Sequence, residues 1–389
     1  ASNDLAPYAL WDIDEIKSVG SQAGFDVVIG LDLPNQSEMK IYQVGKSSSP
    51  FDPKKTDQDY RNQPLDLDAL TAVPMSGVDP LPSKRFSQLL KAAQKFYPSR
   101  RTMVIIWGHG FGWSSRARIS DSTAGLLTDE SSRSSLSILT LKKILLEQTV
   151  TPELLISDAC LMQSAEVLSE FSSFIPRAIG SSQVHDYQGL PYRRFLNIFS
   201  QTLASSRESE VSNRFSKQVP ELYRAFQEHS ELGSERDSDP LTGSFSSVDL
   251  REWRSQLMPA FKRWVEITVS SMARDPLLIP SLKKVRGLSP VYPNKSIELS
   301  SFLKLWMNEL RTLGYATNTP LYDLTRVTSE RLDQSLVDYF SFERTTQARS
   351  VSFYFPSSRD DWRARKSDFL KSQFYQETGI AALMDAVYP

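Results

Sequence analysis

Two short apolar runs constrain this chain more than anything else in it. Thr102–Trp107 (TMVIIW) and Glu153–Ser157 (ELLIS) are continuous rather than alternating, so each reads as a strand buried on both faces, the kind found in parallel sheets covered by helices. Between them Leu139–Gln148 has the spacing of a short amphipathic helix. After them, Gln163–Phe174 reads as a helix beginning just after Cys160, and Arg177–Ser181 (RAIGS) as another strand. Such alternation implies an α/β fold, a mostly parallel sheet flanked by helices in three layers. Upstream, Phe25–Leu33 and Met39–Val44 form an expected hairpin, and Ser83–Tyr97 is an expected helix ended by Pro98. Downstream of Leu190 the pattern turns helical, with Arg194–Ala204, Glu208–Glu228 and Leu250–Met272 the main segments. A late strand, Ser350–Phe355, and a helix, Trp362–Gln373, complete the chain.

Composition excludes several functions. The 389 residues are 40% hydrophobic and 23% charged, which suits a self-folding globular chain. With 45 basic and 46 acidic residues the net charge is −1, so no overall field favours nucleic acid or an anionic membrane. One cysteine excludes an intramolecular disulfide and a multi-thiolate zinc site, and three histidines argue against a histidine-rich metal centre. No stretch reaches the roughly 18 apolar residues needed to cross a bilayer. Ala1–Leu10 lacks the basic start and apolar run of a signal peptide, and the numbering opens on Ala rather than Met, so removal of an upstream leader or segment is expected.

The chemistry-bearing residues sit just past the two apolar strands. Sites in open parallel sheets form beyond the carboxyl ends of strands. His109 follows TMVIIW, after Gly108, within WGHGFGW, and Cys160 comes directly after ELLISDA, where an adjoining helix start would favour a thiolate. A thiol needs a positioned base near neutral pH, and an imidazole supplies it. The two lie 51 residues apart, close to the ~50-residue His-to-Cys spacing of caspases. Backbone N–H groups of Gly110 and Cys160 are candidate oxyanion donors. The bland alternatives stand beside this: a lone cysteine after an apolar strand is commonly a small buried hydrophobe, and a histidine in a glycine-rich turn is commonly structural. Ser114–Ser137, rich in Ser, Thr and Arg, reads as a long exposed loop, and Ser47–Pro64 as a surface excursion.

The blocks YPSRRTMVIIWGHGFGW, GLLTDE, ELLISDACLMQSAEVL and GSSQVHDYQGLPY, with the opening SNDLAPYALWDIDEIKSVGS and the late SVSFYFP, resemble the clostripain family of cysteine peptidases, relatives of caspases, gingipains, legumains and separase. That resemblance implies a caspase-like fold with a catalytic domain over 1–249 and a C-terminal helical region over 250–389. It implies a Cys160–His109 dyad cleaving peptide or protein substrates after Arg or Lys. Asp158 would line the pocket for the basic side chain, with Asp186 the nearest candidate for a second acidic residue; the alternative for Asp158 is capping a helix start at Cys160. Zymogen cleavage would fall at Arg118, Arg116 or Arg133. The alternative function is a catalytically silent relative that binds peptides or partner proteins. No cofactor is implied, calcium dependence being left open, and a secreted or cell-envelope bacterial setting is. The family's first central strand has no counterpart here, so an upstream segment is expected, either removed, unordered or retained as a separate, non-covalently bound piece.

Overall fold

The parallel pairing expected of the two apolar runs is present in the computed structural model, as β4 (Met103–Trp107) and β7 (Leu154–Asp158). The structure describes residues 4–33, 39–55, 57–61, 63–74, 81–113, 126–129, 134–184, 188–228, 244–315, 317–341 and 351–389. They cluster into two units: 1–110, 115–159 and 185–241 form the first, and 111–114, 160–184 and 242–389 the second. The chain thus crosses between units more than once.

In the first unit, β1 (Val28–Leu31), β2 (Lys40–Val44) and β3 (Leu70–Ala72) form a small antiparallel sheet, with the β1–β2 hairpin in the expected place. Successive strand residues face opposite sides, and β2 uses both. Tyr42 joins Leu10, Trp11 and Ile13 of the helix Ala6–Val19, whereas Ile41 joins Met39, Val73 and Ala92 beside the helix Pro82–Phe96. The expected surface excursion is not wholly outside the core: Tyr60 is buried, and its ring lies 5.9 Å from that of Trp11.

The β4–β7 pair runs in register through five rungs from Met103↔Leu154 to Trp107↔Asp158, and every β7 residue is buried. An ionic clip closes its entry end. Arg101 and Ser212 both bond the Glu153 carboxylate, the Arg101 Nε at 2.8 Å and the Ser212 hydroxyl at 2.7 Å. The helix Ile138–Leu146 between the strands starts where the Ser137 hydroxyl accepts the Thr140 N–H at 3.1 Å. Part of the expected long loop is a hairpin, because β5 (Leu126–Asp129) pairs antiparallel with β6 (Ser134–Leu136) and buries Leu126 and Leu136.

In the second unit β8 (Arg177–Gly180), β9 (Ser244–Asp249) and β11 (Leu336–Ser341) pair antiparallel, and β10 (Ile297–Glu298) pairs with β12 (Ser352–Phe353). Strand pairing in the α/β fold is therefore mixed. Aromatic rings from the helices Met258–Arg274 and Leu299–Thr312 and from β12 fill this core, with Phe261, Trp264, Phe302 and Phe353 at centroid separations of 5.0 to 6.3 Å. The segment expected as one helix over Glu208–Glu228 is broken into Val211–Ser216 and Val219–Glu228; Pro220, which cannot donate to a preceding turn, sits in the first turn of the second.

Buried carboxyls staple the C-terminal segments to the short helix Ala165–Phe171. Glu166 accepts the Tyr354 N–H at 2.9 Å and Glu170 the Gln373 N–H at 2.6 Å. Burial pushes the Glu166 carboxyl up to about 7, against the partial relief of its backbone bonds. A carboxyl raised in the folded state favours folding only while the folded form holds the extra proton. Stability should therefore fall as pH rises from about 4.5 to 7, by about 3 kcal/mol from this group, and level off above. Urea midpoints across pH 5 to 8.5 test this: Glu166→Gln, which keeps an acceptor for Tyr354, should flatten the slope, and an unchanged slope would refute it.

Candidate active site

The last rung of the parallel pair organises the candidate site. Trp107 and Asp158 are partners there, and the Gly108 N–H extends the pairing with a 3.2 Å bond to the Asp158 carbonyl. His109 and Cys160 each stand two residues beyond that rung, as the sequence anticipated. His109 is part-buried, 28% exposed at its side chain, and its Nε2 lies 2.8 Å from Oδ1 of Asp4. Gly110, one of the two expected oxyanion donors, forms an isolated antiparallel bridge with Leu126.

Cys160 lies in a turn, not at a helix start, and this corrects the sequence expectation. The helix begins only at Ala165, where the Ser164 hydroxyl accepts the Val167 N–H at 3.3 Å. Helix-dipole effects fade within the first turn, so that dipole is not positioned to favour a thiolate five residues earlier. Nor does Asp158 cap this helix, because Ser164 does. The intervening backbone is fixed by strand-like bonds: the Leu161 N–H donates to Gln183 O at 3.0 Å and the Gln163 N–H to Ser181 O at 2.9 Å. Leu161 itself takes φ +62°, a left-handed conformation that costs a branched residue about 1–2 kcal/mol. Cys160 is part-buried rather than sealed, and packs with Leu161 and Tyr292.

The residues after His109 are held close to the residue after Cys160. Gly112 has φ +68°, and a Cβ there would stand 2.8 Å from the Leu161 carbonyl oxygen and 3.1 Å from Asn294 Nδ2. Only glycine permits both the dihedral and the approach. Trp113 then anchors the segment, its indole N–H donating to Asp368 O at 3.2 Å.

Asp158 is 2% exposed, and its Oδ2 accepts the Tyr192 hydroxyl at 2.8 Å and the Leu190 N–H at 3.1 Å. Gly189 passes so near that a Cβ would sit 2.7 Å from the same oxygen. Two further carboxyls lie close enough to be felt. Burial, then the charges of Asp158 and Glu15, raise Asp12 well above the usual carboxylate range, with the Trp107 side chain opposing. Burial raises Glu15 to about 7 against the N–H groups of Arg193 and Tyr192. The Tyr192 phenol is also pushed up, first by burial and then by Asp158 and Asp12, so it stays a donor. Sequence reasoning missed Asp4, Asp12, Glu15 and Tyr192. The available signal was acids at Asp12 and Glu15 on a stripe otherwise buried through Ala9, Leu10, Ile13 and Ile16. Asp186, Arg116, Arg118 and Arg133 lie outside the described residues. Among the described residues no cluster of three His, Cys, Asp or Glu side chains is disposed to hold a metal ion.

Gly112→Ala should lower the thermal midpoint by several degrees and alter the alkylation rate of Cys160, since strain and contact both fall on Leu161. A midpoint and rate both equal to wild type would contradict the tight approach.

The sequence matches the Clostripain family over residues 1–378. No curated protein sequence matches. Among solved structures, a secreted C11 cysteine protease from Bacteroides thetaiotaomicron called iotapain aligns with a TM-score of 0.62 and 14% identity, over 97% of this chain and 96% of that one. A Bacteroides thetaiotaomicron secreted C11 cysteine protease in complex with an irreversible peptide inhibitor gives 0.63 and 16%, over 97% and 96%. An inactive zymogen C11 protease from Parabacteroides distasonis gives 0.60 and 15%, over 100% and 95%. Likeness at such identity shows a shared fold, the caspase-like α/β class.

Proposed function

The chain belongs to the clostripain family of cysteine peptidases, and from that premise we propose that it is an endopeptidase cleaving after Arg or Lys, with Cys160 as nucleophile and His109 as its proton-transfer partner. The observation that carries this reading is the in-register last rung, Trp107↔Asp158, from which both residues emerge at the same remove. The close passage of Gly112 over Leu161 supports it, because it draws together the segments that come after the two side chains.

In the proposed reaction the Cys160 thiolate, its proton held by His109, attacks the scissile carbonyl carbon. The developing oxyanion is met by N–H groups of Gly110 and Cys160. His109 returns the proton to the leaving amine as the C–N bond breaks, which leaves a thioester on Sγ. Water then attacks the thioester while His109 takes its proton; the C–S bond breaks, the acid product leaves, and the thiolate–imidazolium pair is restored. The cycle consumes one water and nothing else.

A carboxylate two residues before the nucleophile suits a desolvated guanidinium or ammonium, and we assign that role to Asp158. One observation favours a second reading: with 2% exposure and bonds from Tyr192 and Leu190, Asp158 also serves as a structural anchor. We further propose activation by cleavage at Arg118, Arg116 or Arg133, and a secreted setting like that stated for the Bacteroides proteins. No helix among the described residues is long and apolar enough to cross a membrane.

Fluorogenic peptides with Arg, Lys or Asp before the scissile bond provide the test. Hydrolysis should occur after Arg or Lys, not Asp, and vanish in Cys160→Ala and His109→Ala. A chain inactive on basic peptides, even after cleavage at Arg118, Arg116 or Arg133, would favour the silent-relative reading. For the pocket, Asp158→Asn should cut kcat/KM on Arg substrates by about 10²-fold or more while leaving Cys160 alkylation by iodoacetamide near wild type. Equal loss of both would assign Asp158 to structure alone.

A further inference from the structure

We propose that Asp4 is a positioning residue for His109: its carboxylate holds the imidazole in the tautomer protonated on Nε2, so that Nδ1 is the nitrogen that exchanges a proton with the thiol. This inference rests on the proposed role of His109 as the base.

The contact joins residues 105 apart in sequence at 2.8 Å, so it is made by the fold and not by local chain geometry. Asp4 directly precedes the helix Ala6–Val19, and the start of that helix holds its backbone: Leu5 is 5% exposed, and its carbonyl accepts the Ala9 N–H at 3.0 Å. On the other side, the Gly108 N–H bond to Asp158 fixes the backbone one residue before His109. The ring is thus located through its backbone by the strand rung and through Nε2 by Asp4.

Magnitudes decide what this pair can do. With its side chain 68% exposed, Asp4 contributes little to stability, because solvent screens exposed ion pairs. Tautomer choice is a different matter. A hydrogen bond worth about 1 kcal/mol shifts a two-tautomer balance several-fold, and the bond strengthens when the ring becomes an imidazolium. A carboxylate in this place directs the ring, a task such a group performs for a histidine base. The pair is exposed, so the expected contribution is about tenfold in rate, well below the ~10⁴-fold of a buried aspartate.

The test compares wild type with Asp4→Ala, Asp4→Asn and Asp4→Glu in the full chain. Four quantities are read: kcat and KM on an Arg peptide, the rate of Cys160 alkylation by iodoacetamide, the thermal midpoint, and the ¹⁵N shifts of the His109 ring, assigned with His109→Gln. Asp4→Ala should lower kcat about tenfold, slow alkylation several-fold and convert His109 from the Nε2-protonated form to a tautomer mixture, while KM and midpoint stay at wild-type values. Asp4→Glu should recover part of the rate. Unchanged kcat and tautomer in Asp4→Ala, a loss confined to KM, or a loss that tracks the midpoint would each overturn the proposal. Absence of hydrolysis by wild type would sink the peptidase reading instead, and the alkylation and ¹⁵N comparisons would still decide the role of Asp4.

Discussion

The parallel pairing of Met103–Trp107 with Leu154–Asp158 is the constraint on which the rest of the first unit depends. Parallel neighbours cannot be joined by a tight turn, so a long connection must intervene, and it carries the helix Ile138–Leu146. The ends of the pair are treated differently. Arg101, Glu153 and Ser212 close the entry with charge-assisted bonds, whereas the exit ends in a backbone bond from Gly108, with His109 and Cys160 two residues beyond the last rung. Register is strictly specified in a buried pair, because a one-residue slip would turn every side chain to the opposite face.

Immediately behind the exit lies a layer of acid that ordinary packing would avoid. Asp12, Glu15 and Asp158 are all buried, and the cost appears as raised proton affinity in the first two. Tyr192 and Leu190 direct their donors to Asp158. Burying three ionised carboxylates together would cost several kcal/mol each, so protonation of Asp12 and, near neutral pH, of Glu15 is the cheaper solution. With those two neutral, Asp158 can keep its charge among donors from Tyr192 and Leu190.

How much of this could be read in the sequence depended on how local the determining physics was. β4, β7, the β1–β2 hairpin and the helix Pro82–Phe96 announce themselves by apolar runs, turn residues and helical spacing, and each falls within a few residues of its expected place. β9 (SFSSVD) and β11 (LVDYFS) do not, since Ser244, Ser246 and Ser247 are fully buried in a pattern that reads as polar. The late strand shrank to Ser352–Phe353 because its pairing partner is only Ile297–Glu298. Within the site, His109 and Cys160 were legible as exceptional residues at strand ends. Asp4 and Tyr192 were not, because their importance comes from partners 105 and 34 residues away that no local pattern signals.

The misplaced helix start carries the most mechanistic weight. Had the helix begun at Cys160, its free N–H groups and dipole would lower the thiol's proton affinity unaided. The helix starts at Ala165 instead, after Leu161 has turned through a left-handed conformation and Leu161 and Gln163 have spent their N–H groups on Gln183 and Ser181. In the proposed reaction the burden of forming a thiolate therefore falls on the imidazole, and the orientation of that ring matters correspondingly more. The strained turn has its own return: it frees the residue after β7 from helical geometry and lets Gly112 approach Leu161 at backbone distance. In that proposed reaction, activation by a partner side chain in place of a dipole would make Cys160 dependent on the contacts of His109, and so on residues far from it in sequence.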